Sequence, residues 1–88
     1  MSQIIMQADS RRGILHQVKA GEQHYWISTV PADFPLARIC ETMIFKCNKT
    51  GKIRKAEFVN PTKTILHGSW EEAAKTHEKI CKDLENWL

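Results

Sequence analysis

The chain has no long apolar segment and no glycine-rich loop, and these absences exclude several classes of protein. No apolar run approaches the roughly 18 residues of a membrane-spanning helix. Residues 2–10 lack the basic start and the apolar core of a secretory signal. The Gly-rich loops that bind phosphate are also missing, which leaves nucleotide binding as one option among several. We therefore expect a cytosolic protein.

Cysteine is too scarce for a disulfide framework. Cys40, Cys47 and Cys81 are an odd number in apolar contexts, which favours reduced, buried thiols. His77 and Cys81, four apart on a helix, could bind one zinc ion, but Cys40 and Cys47 would have to supply the remaining ligands. These two are separated by roughly 23 Å of extended chain, and their odd spacing points them to opposite faces. We expect no metal and no cofactor.

The net charge of +3 conceals an uneven distribution. Residues 69–88 hold three bases and five acids, whereas residues 1–68 hold ten bases and five acids. Five of these bases lie within ten positions: Lys46, Lys49, Lys52, Arg54 and Lys55. They indicate either a solvated hairpin whose lysines protect a sheet edge, or a surface for an anionic partner. A nucleic acid, a nucleotide or an acidic protein would each fit the second explanation.

Apolar alternation and turn residues predict four or five strands. The two clearest hairpins are residues 14–19 with 24–30, and residues 41–47 with 53–59. The first is closed by a turn containing Gly21, and the second by residues 48–51. Shorter strands are expected at residues 4–6 and 64–67. Pro31 and Pro35 predict a loop over residues 32–39.

One amphipathic helix is predicted at the C-terminal end. Ser69 and Glu72 form a capping-box pattern, and the apolar stripe continues to Leu88. His77 lies near the middle of that stripe. In the strand at residues 41–47, alternation places Glu41 on the same face as three apolar residues. We therefore expect Glu41 and His77 to form a buried pair, because an unpartnered polar group in a core is costly.

Other residues could contribute to a ligand site. Tyr25 and Trp26 could stack a base near the basic hairpin, although such aromatic residues are more often core or interface anchors. Arg11 and Arg12, beside a glycine, could clamp a phosphate or simply form a solvated turn. The remaining histidines are expected at the surface or at sheet edges: His16, His24 and His67.

The motif Glu-Thr-Met-Ile-Phe at residues 41–45, followed by Glu71, Glu72, Ala73 and His77 in a helix, resembles a family of small bacteriophage-encoded proteins. In that family an ETM(V/I)F strand precedes a turn and an "eeA…H" helix. The resemblance extends from His24 onward and does not include the first twenty residues. It brings no catalytic residues, and it implies phage origin and action in the cytoplasm of an infected bacterium.

Together these features predict one small α+β domain over residues 1–88. It would contain an antiparallel sheet of four or five strands with one C-terminal helix packed on one face. A single helix leaves the second face of the sheet apolar, which predicts a homo-oligomer. The expected function is non-enzymatic binding in host takeover or counter-defence, by sequestering a nucleotide-type signal or occupying a host protein. A nucleic-acid-binding accessory protein and, less favoured, a small hydrolase using His77 are the alternatives.

Overall fold

Five antiparallel strands form one sheet in the computed structural model, which describes residues 2–9, 13–31 and 39–88. They pair in chain order, each strand with the next. The strands are β1 (Ser2–Ala8), β2 (Ile14–Ala20), β3 (Gln23–Pro31), β4 (Cys40–Cys47) and β5 (Lys63–His67). The helices are α1 (Lys55–Val59) and α2 (Trp70–Lys82), and a 3-10 turn follows at Leu84–Asn86. The predicted α+β fold is confirmed.

The first predicted hairpin is confirmed as β2 and β3, in which all of β2 pairs with residues 23–29 of β3. Gly21 turns the chain with a φ of +62°, a left-handed conformation that glycine adopts without steric cost. The strand predicted at residues 41–47 is confirmed as β4. Most of the predicted loop at residues 32–39 lies outside the described residues.

The strand predicted at residues 53–59 is wrong, because this segment contains helix α1. The Asn48 side chain accepts hydrogen bonds from the backbone N–H groups of Thr50 and Lys52, at 3.0 and 2.8 Å. This closes a tight turn directly after β4, and the chain then enters a helix that begins with the helix-favouring sequence Lys-Ala-Glu. The place beside β4 is taken by β5.

Helix α2 lies across one face of the sheet and buries the main apolar core there. The core residues come from both layers: Val18, Ala20, Tyr25, Ile27, Ile44, Ile80, Cys81 and Leu84. Their side chains exclude water, which is the main favourable term in folding. None of the helices in the described part of the chain is both long enough and apolar enough to cross a membrane.

The ends of α2 are held by two serines. Ser69 accepts a hydrogen bond from the backbone N–H of Glu72 at 3.1 Å, as the capping pattern predicts. The helix ends at Lys82 rather than at the predicted Leu88. There the Ser2 hydroxyl donates to the Cys81 carbonyl and accepts from the Leu84 N–H, so β1 satisfies backbone groups at the helix end.

The opposite face of the sheet is partly covered by α1. The Phe58 ring stacks on Phe45 with centroids 5.4 Å apart. The Trp26 indole N–H donates to the Gly51 carbonyl at 2.6 Å. Phe58 and Leu66 are each 64% exposed, so this face keeps uncovered apolar surface.

We expect the two left-handed glycines to differ in how they tolerate alanine. A Cβ at Gly21 would meet no atom within 4 Å, so Gly21→Ala should cost backbone strain alone, about 1 kcal/mol. At Gly51, φ is +87° and a Cβ would lie 3.1 Å from the Trp26 ring and from the Gln17 amide oxygen. Gly51→Ala should therefore cost about 2–3 kcal/mol. Urea unfolding compares them, and equal losses would show that the turn is not held against Trp26.

Candidate functional site

Most of the clustered bases meet at the end of β4. We define the basic pocket as an open depression of about 310 Å³ lined by Gln23, Lys46, Cys47, Asn48, Lys52, Arg54 and Glu57. An adjoining depression of the same volume shares three of these residues and adds Lys19, Glu22, His24 and Lys49. The structure thus brings together Lys46, Lys49, Lys52 and Arg54. Lys55, the first residue of α1, does not line either depression, and Lys19 is a base that the sequence analysis missed.

Two turns fix the shape of the basic pocket. The Gln23 side-chain amide, beside the β2–β3 turn, donates to the Cys47 carbonyl at the end of β4, at 3.0 Å. Across the β4–α1 turn, the Asn48 N–H donates to the Lys52 carbonyl at 3.0 Å. The wall formed by α1 carries an ion pair between Arg54 and Glu57 at 3.2 Å. The pocket is therefore built from backbone that is hydrogen-bonded on both sides.

The two depressions carry a marked excess of positive charge. Five bases line them: Lys19, Lys46, Lys49, Lys52 and Arg54. The acids that line them are Glu22 and Glu57. Lysines around a concave surface raise the local positive potential and attract anions. An anionic group entering the pocket would meet the cationic ends of exposed side chains, among them Lys46, Lys52 and Arg54.

The other predicted ligand residues do not join this pocket. Tyr25 is buried against α2, and burial raises the pKa of its hydroxyl. Trp26 points to the opposite face of the sheet, so the two aromatic rings cannot form one stacking platform. Arg11 and Arg12 lie outside the described residues.

The predicted pair of Glu41 and His77 is wrong. Helix α2 packs on the face of β4 that carries Thr42 and Ile44, whereas Glu41 points to the other face. His77 is buried as predicted, at 2% exposure. Its two ring nitrogens are bonded elsewhere, Nδ1 to Thr29 and Nε2 to His16.

A buried chain of hydrogen bonds, which we define as the polar relay, runs from β2 to β5 by way of α2. His16 Nδ1 lies 2.8 Å from His77 Nε2, and His77 Nδ1 lies 2.7 Å from the Thr29 hydroxyl. The Thr29 and Thr42 hydroxyls are 2.6 Å apart. The Thr42 hydroxyl lies 2.8 Å from His67 Nε2. The relay thereby joins one side chain from each of β2, β3, β4 and β5 to His77 on α2.

All hydrogen bonds of the relay must donate in the same direction along it, either from His16 towards His67 or from His67 towards His16. Neutral His77 has one N–H, so it donates on one side and accepts on the other. If it accepts from Thr29, then Thr29 accepts from Thr42 and Thr42 accepts from His67. If it donates to Thr29, every bond reverses. Either order satisfies all five side chains along the relay.

The sequence analysis missed the two histidines at the ends of the relay. His67 was expected at the surface or at an edge, and it lies on an edge strand but is only 4% exposed. His16 is half-buried against His77, with ring centroids 5.1 Å apart. Both are in phase with core residues two positions away, Val18 and Ile65, and this phase is the signal that could have placed them in the helix–sheet layer.

Burial sets the protonation states around His77. Burial, with a further contribution from His16, lowers the pKa of His77 to about 4. Burial also lowers the pKa of His16. Burial and the Glu78 carboxylate raise the pKa of the Cys81 thiol to about 12. One ligand-type atom from each of His16, His77 and Cys81 lies within 4.8 Å of the others, so these residues could hold a metal ion.

We expect the buried His77 to make the protein sensitive to acid. Its folded pKa of about 4 is below the unfolded value of 6.5, so the unfolded chain binds the proton more readily. The contribution of His77 to the free energy of unfolding should therefore be complete above pH 6.5. It should fall by about 3 kcal/mol as the pH is lowered towards 4. Urea unfolding at several pH values measures the slope.

The control for this prediction is a histidine outside the relay. His77→Asn should be less stable at pH 7 and should lose much of the slope between pH 6.5 and 4. His24→Asn should keep the wild-type slope. If His77→Asn and the wild type lose the same free energy on acidification, His77 is not the buried neutral group.

Comparison of the chain with protein-family models, with curated protein sequences and with solved structures gave no match.

Proposed function

We propose that this chain is a non-enzymatic binding protein whose basic pocket takes an anionic ligand of nucleotide type. In keeping with the resemblance to small phage proteins, its place of action would be the cytoplasm of an infected bacterium. Its role there would be host takeover or counter-defence, by sequestering a nucleotide signal or occupying a host protein. Either role needs a surface and no reactive centre.

The observation that supports this proposal is the convergence of Lys46, Lys52 and Arg54 on one depression. These residues are separated in sequence and come from a strand, a turn and the start of a helix, yet they line the same space. Glu57 holds the Arg54 guanidinium at 3.2 Å. This ion pair is at the surface and holds Arg54 only weakly, so the guanidinium can leave it and form paired hydrogen bonds with a phosphate.

The dimensions suit a nucleotide. Small-molecule sites commonly enclose about 300–1,000 Å³. The basic pocket and its neighbour each have about 310 Å³ and share Gln23, Cys47 and Asn48. A phosphate bound beside Lys52 and Arg54 would leave the adjoining depression for the sugar and base. Amide groups on the shared wall offer both donors and acceptors to these polar parts.

One observation favours a nucleic acid as the second candidate. The basic surface continues beyond the pocket through Lys19 and Lys49. A strand of several phosphates could follow it, and its affinity would then fall steeply with salt because each neutralised phosphate releases counterions. The hydrolase alternative needs a substrate to reach His77, and the 2% exposure of that residue gives it no support.

We expect charge removal in the basic pocket to weaken anion binding without unfolding the protein. The triple variant Lys46→Gln, Lys52→Gln, Arg54→Gln changes exposed side chains, so its stability should stay within about 0.5 kcal/mol of wild type. Its affinity for ATP, measured by calorimetry at low salt, should fall by about 10-fold or more. Glu57→Gln, which removes an acid from the same wall, should strengthen binding.

The matched control is Lys75→Gln, Lys79→Gln, Lys82→Gln, which removes the same charge from α2. It should bind ATP like the wild type. Equal weakening by both triple variants would show that net charge, and no pocket, governs binding. A single-stranded oligonucleotide that binds far more tightly than ATP, with a steep salt dependence, would favour the nucleic-acid candidate. Mass spectrometry of the protein purified from infected bacteria would identify a bound nucleotide or a co-purifying host protein.

We further propose that the chain forms a homo-oligomer through the sheet face opposite α2. Phe58 and Leu66 are each 64% exposed on this side, and contacts between copies would remove them from water. Most soluble oligomers are symmetric assemblies of identical chains, so one such face is sufficient for a dimer.

Light scattering should therefore give a mass above the 10.2 kDa of one chain at high micromolar concentration. Phe58→Glu and Leu66→Glu should shift the mass towards the monomer. Leu88→Glu is the control, because Leu88 is also exposed, at 46%, but belongs to the C-terminal segment after α2. A monomeric wild type would refute this assembly and leave the pocket proposal untouched.

A further inference from the structure

Two imidazoles and one thiol converge between β2 and α2. His77 and Cys81 are four residues apart on the helix, which places both side chains on the same helical face. His16 comes from β2, on the sheet face beneath them. One ligand-type atom from each residue lies within 4.8 Å of the other two. Residues from two different elements thus surround one small volume.

The spacing of the two nitrogens is near that of a tetrahedral metal site. Zinc binds histidine nitrogen at about 2.0–2.1 Å and cysteine sulfur at about 2.3 Å, so nitrogens on one ion lie about 3.3 Å apart. His16 Nδ1 and His77 Nε2 are 2.8 Å apart. Moving these two nitrogens apart by about half an ångström would make room for an ion between them, within the reach of small side-chain rotations.

Thr29 already orients His77 as a metal ligand would be oriented. Metal-binding histidines usually donate their second ring N–H to an acceptor that fixes the ring. His77 Nδ1 lies 2.7 Å from the Thr29 hydroxyl, which leaves Nε2 directed at His16. The Thr29 hydroxyl can then donate to Thr42 and Thr42 to His67, so the supporting shell is complete through the relay.

We propose that His16 Nδ1, His77 Nε2 and Cys81 Sγ bind a divalent zinc-like metal ion, with water as the fourth ligand. Mixed nitrogen and sulfur ligands suit zinc, and three protein ligands with one water is a known zinc arrangement. The site lies between β2 and α2, apart from the residues that line the basic pocket, so it does not depend on the anion-binding proposal. It keeps His77 and Cys81 of the set considered from the sequence, and His16 and a water take the places of Cys40 and Cys47.

The protons balance in a simple way. His16 and His77 bind as neutral imidazoles, each keeping one N–H on the nitrogen that does not face the ion. The Cys81 thiol loses its proton to solvent as the sulfur–metal bond forms, because a bound cation favours the thiolate. The half-buried His16 provides the side from which an ion and its water can enter. Burial that keeps His77 neutral at pH 7 leaves its nitrogen ready to bind.

Cobalt titration of the full-length chain under reducing conditions tests this site. Co²⁺ should bind one per chain and give the visible bands of a tetrahedral site with a near-ultraviolet thiolate-to-cobalt charge-transfer band, and Zn²⁺ should displace it. Cys81→Ser should abolish the charge-transfer band. His16→Gln should weaken binding by more than the roughly 10–100-fold typical of losing a group that only orients a ligand, and Thr29→Val should fall within that range.

Matched controls locate the site. Cys40→Ser and Cys47→Ser should keep the charge-transfer band, and His24→Gln should keep the wild-type affinity. X-ray absorption of the wild type with Co²⁺ should show one sulfur and two imidazole ligands, and this measurement does not depend on any variant folding. No stoichiometric binding, a shell without sulfur, or loss of the band in Cys40→Ser or Cys47→Ser would overturn the proposal.

Discussion

The burial of His77 is the constraint on which the rest of the structure depends. Its ring sits within the apolar stripe of α2, where an unpartnered nitrogen would cost about 1–3 kcal/mol. The observed placement of the helix brings its two nitrogens to His16 and Thr29 together. The apolar core alone would tolerate a helix shifted by a turn, since hydrophobic contact is not directional. The polar relay therefore selects the helix register, and the core supplies most of the stability.

The two faces of the sheet consequently have different tasks. The face under α2 is covered except beside the half-buried His16, and in the described residues every buried side-chain nitrogen and oxygen has a hydrogen-bond partner. The other face carries a short helix and an open apolar surface, and the basic pocket lies at the end of the sheet, where Lys46 and Cys47 line it from opposite faces. Since the face under α2 holds the fold, substitutions of exposed side chains in the basic pocket should have little effect on stability. This separation is typical of proteins that place variable function on a rigid scaffold.

Sequence periodicity was sufficient for the strands and the helix, but not for the assignment of faces. β4 is buried on both sides, with Thr42 and Ile44 under α2 and Phe45 and Cys47 on the other face. Alternation alone therefore cannot tell which face of β4 lies under α2, and it favours the more apolar set, which includes Glu41. Thr29 and Thr42 lie under α2 because the polar relay, which the sequence does not reveal, satisfies the hydrogen bonds of their hydroxyls. The strand predicted at residues 53–59 is wrong for a different reason. The turn at Asn48 directs the chain out of the sheet before this segment can pair with β4.

The relay also couples the tautomers of two histidines on different strands. When His77 donates towards His16, His67 must carry its proton on Nε2 and His16 must present a bare Nδ1. When the order reverses, both end histidines carry their protons on Nδ1 instead. His16 and His67 therefore change tautomer together, although no bond joins them directly. A change in the surroundings of the half-buried His16 is thus transmitted as a proton position to the far edge of the sheet.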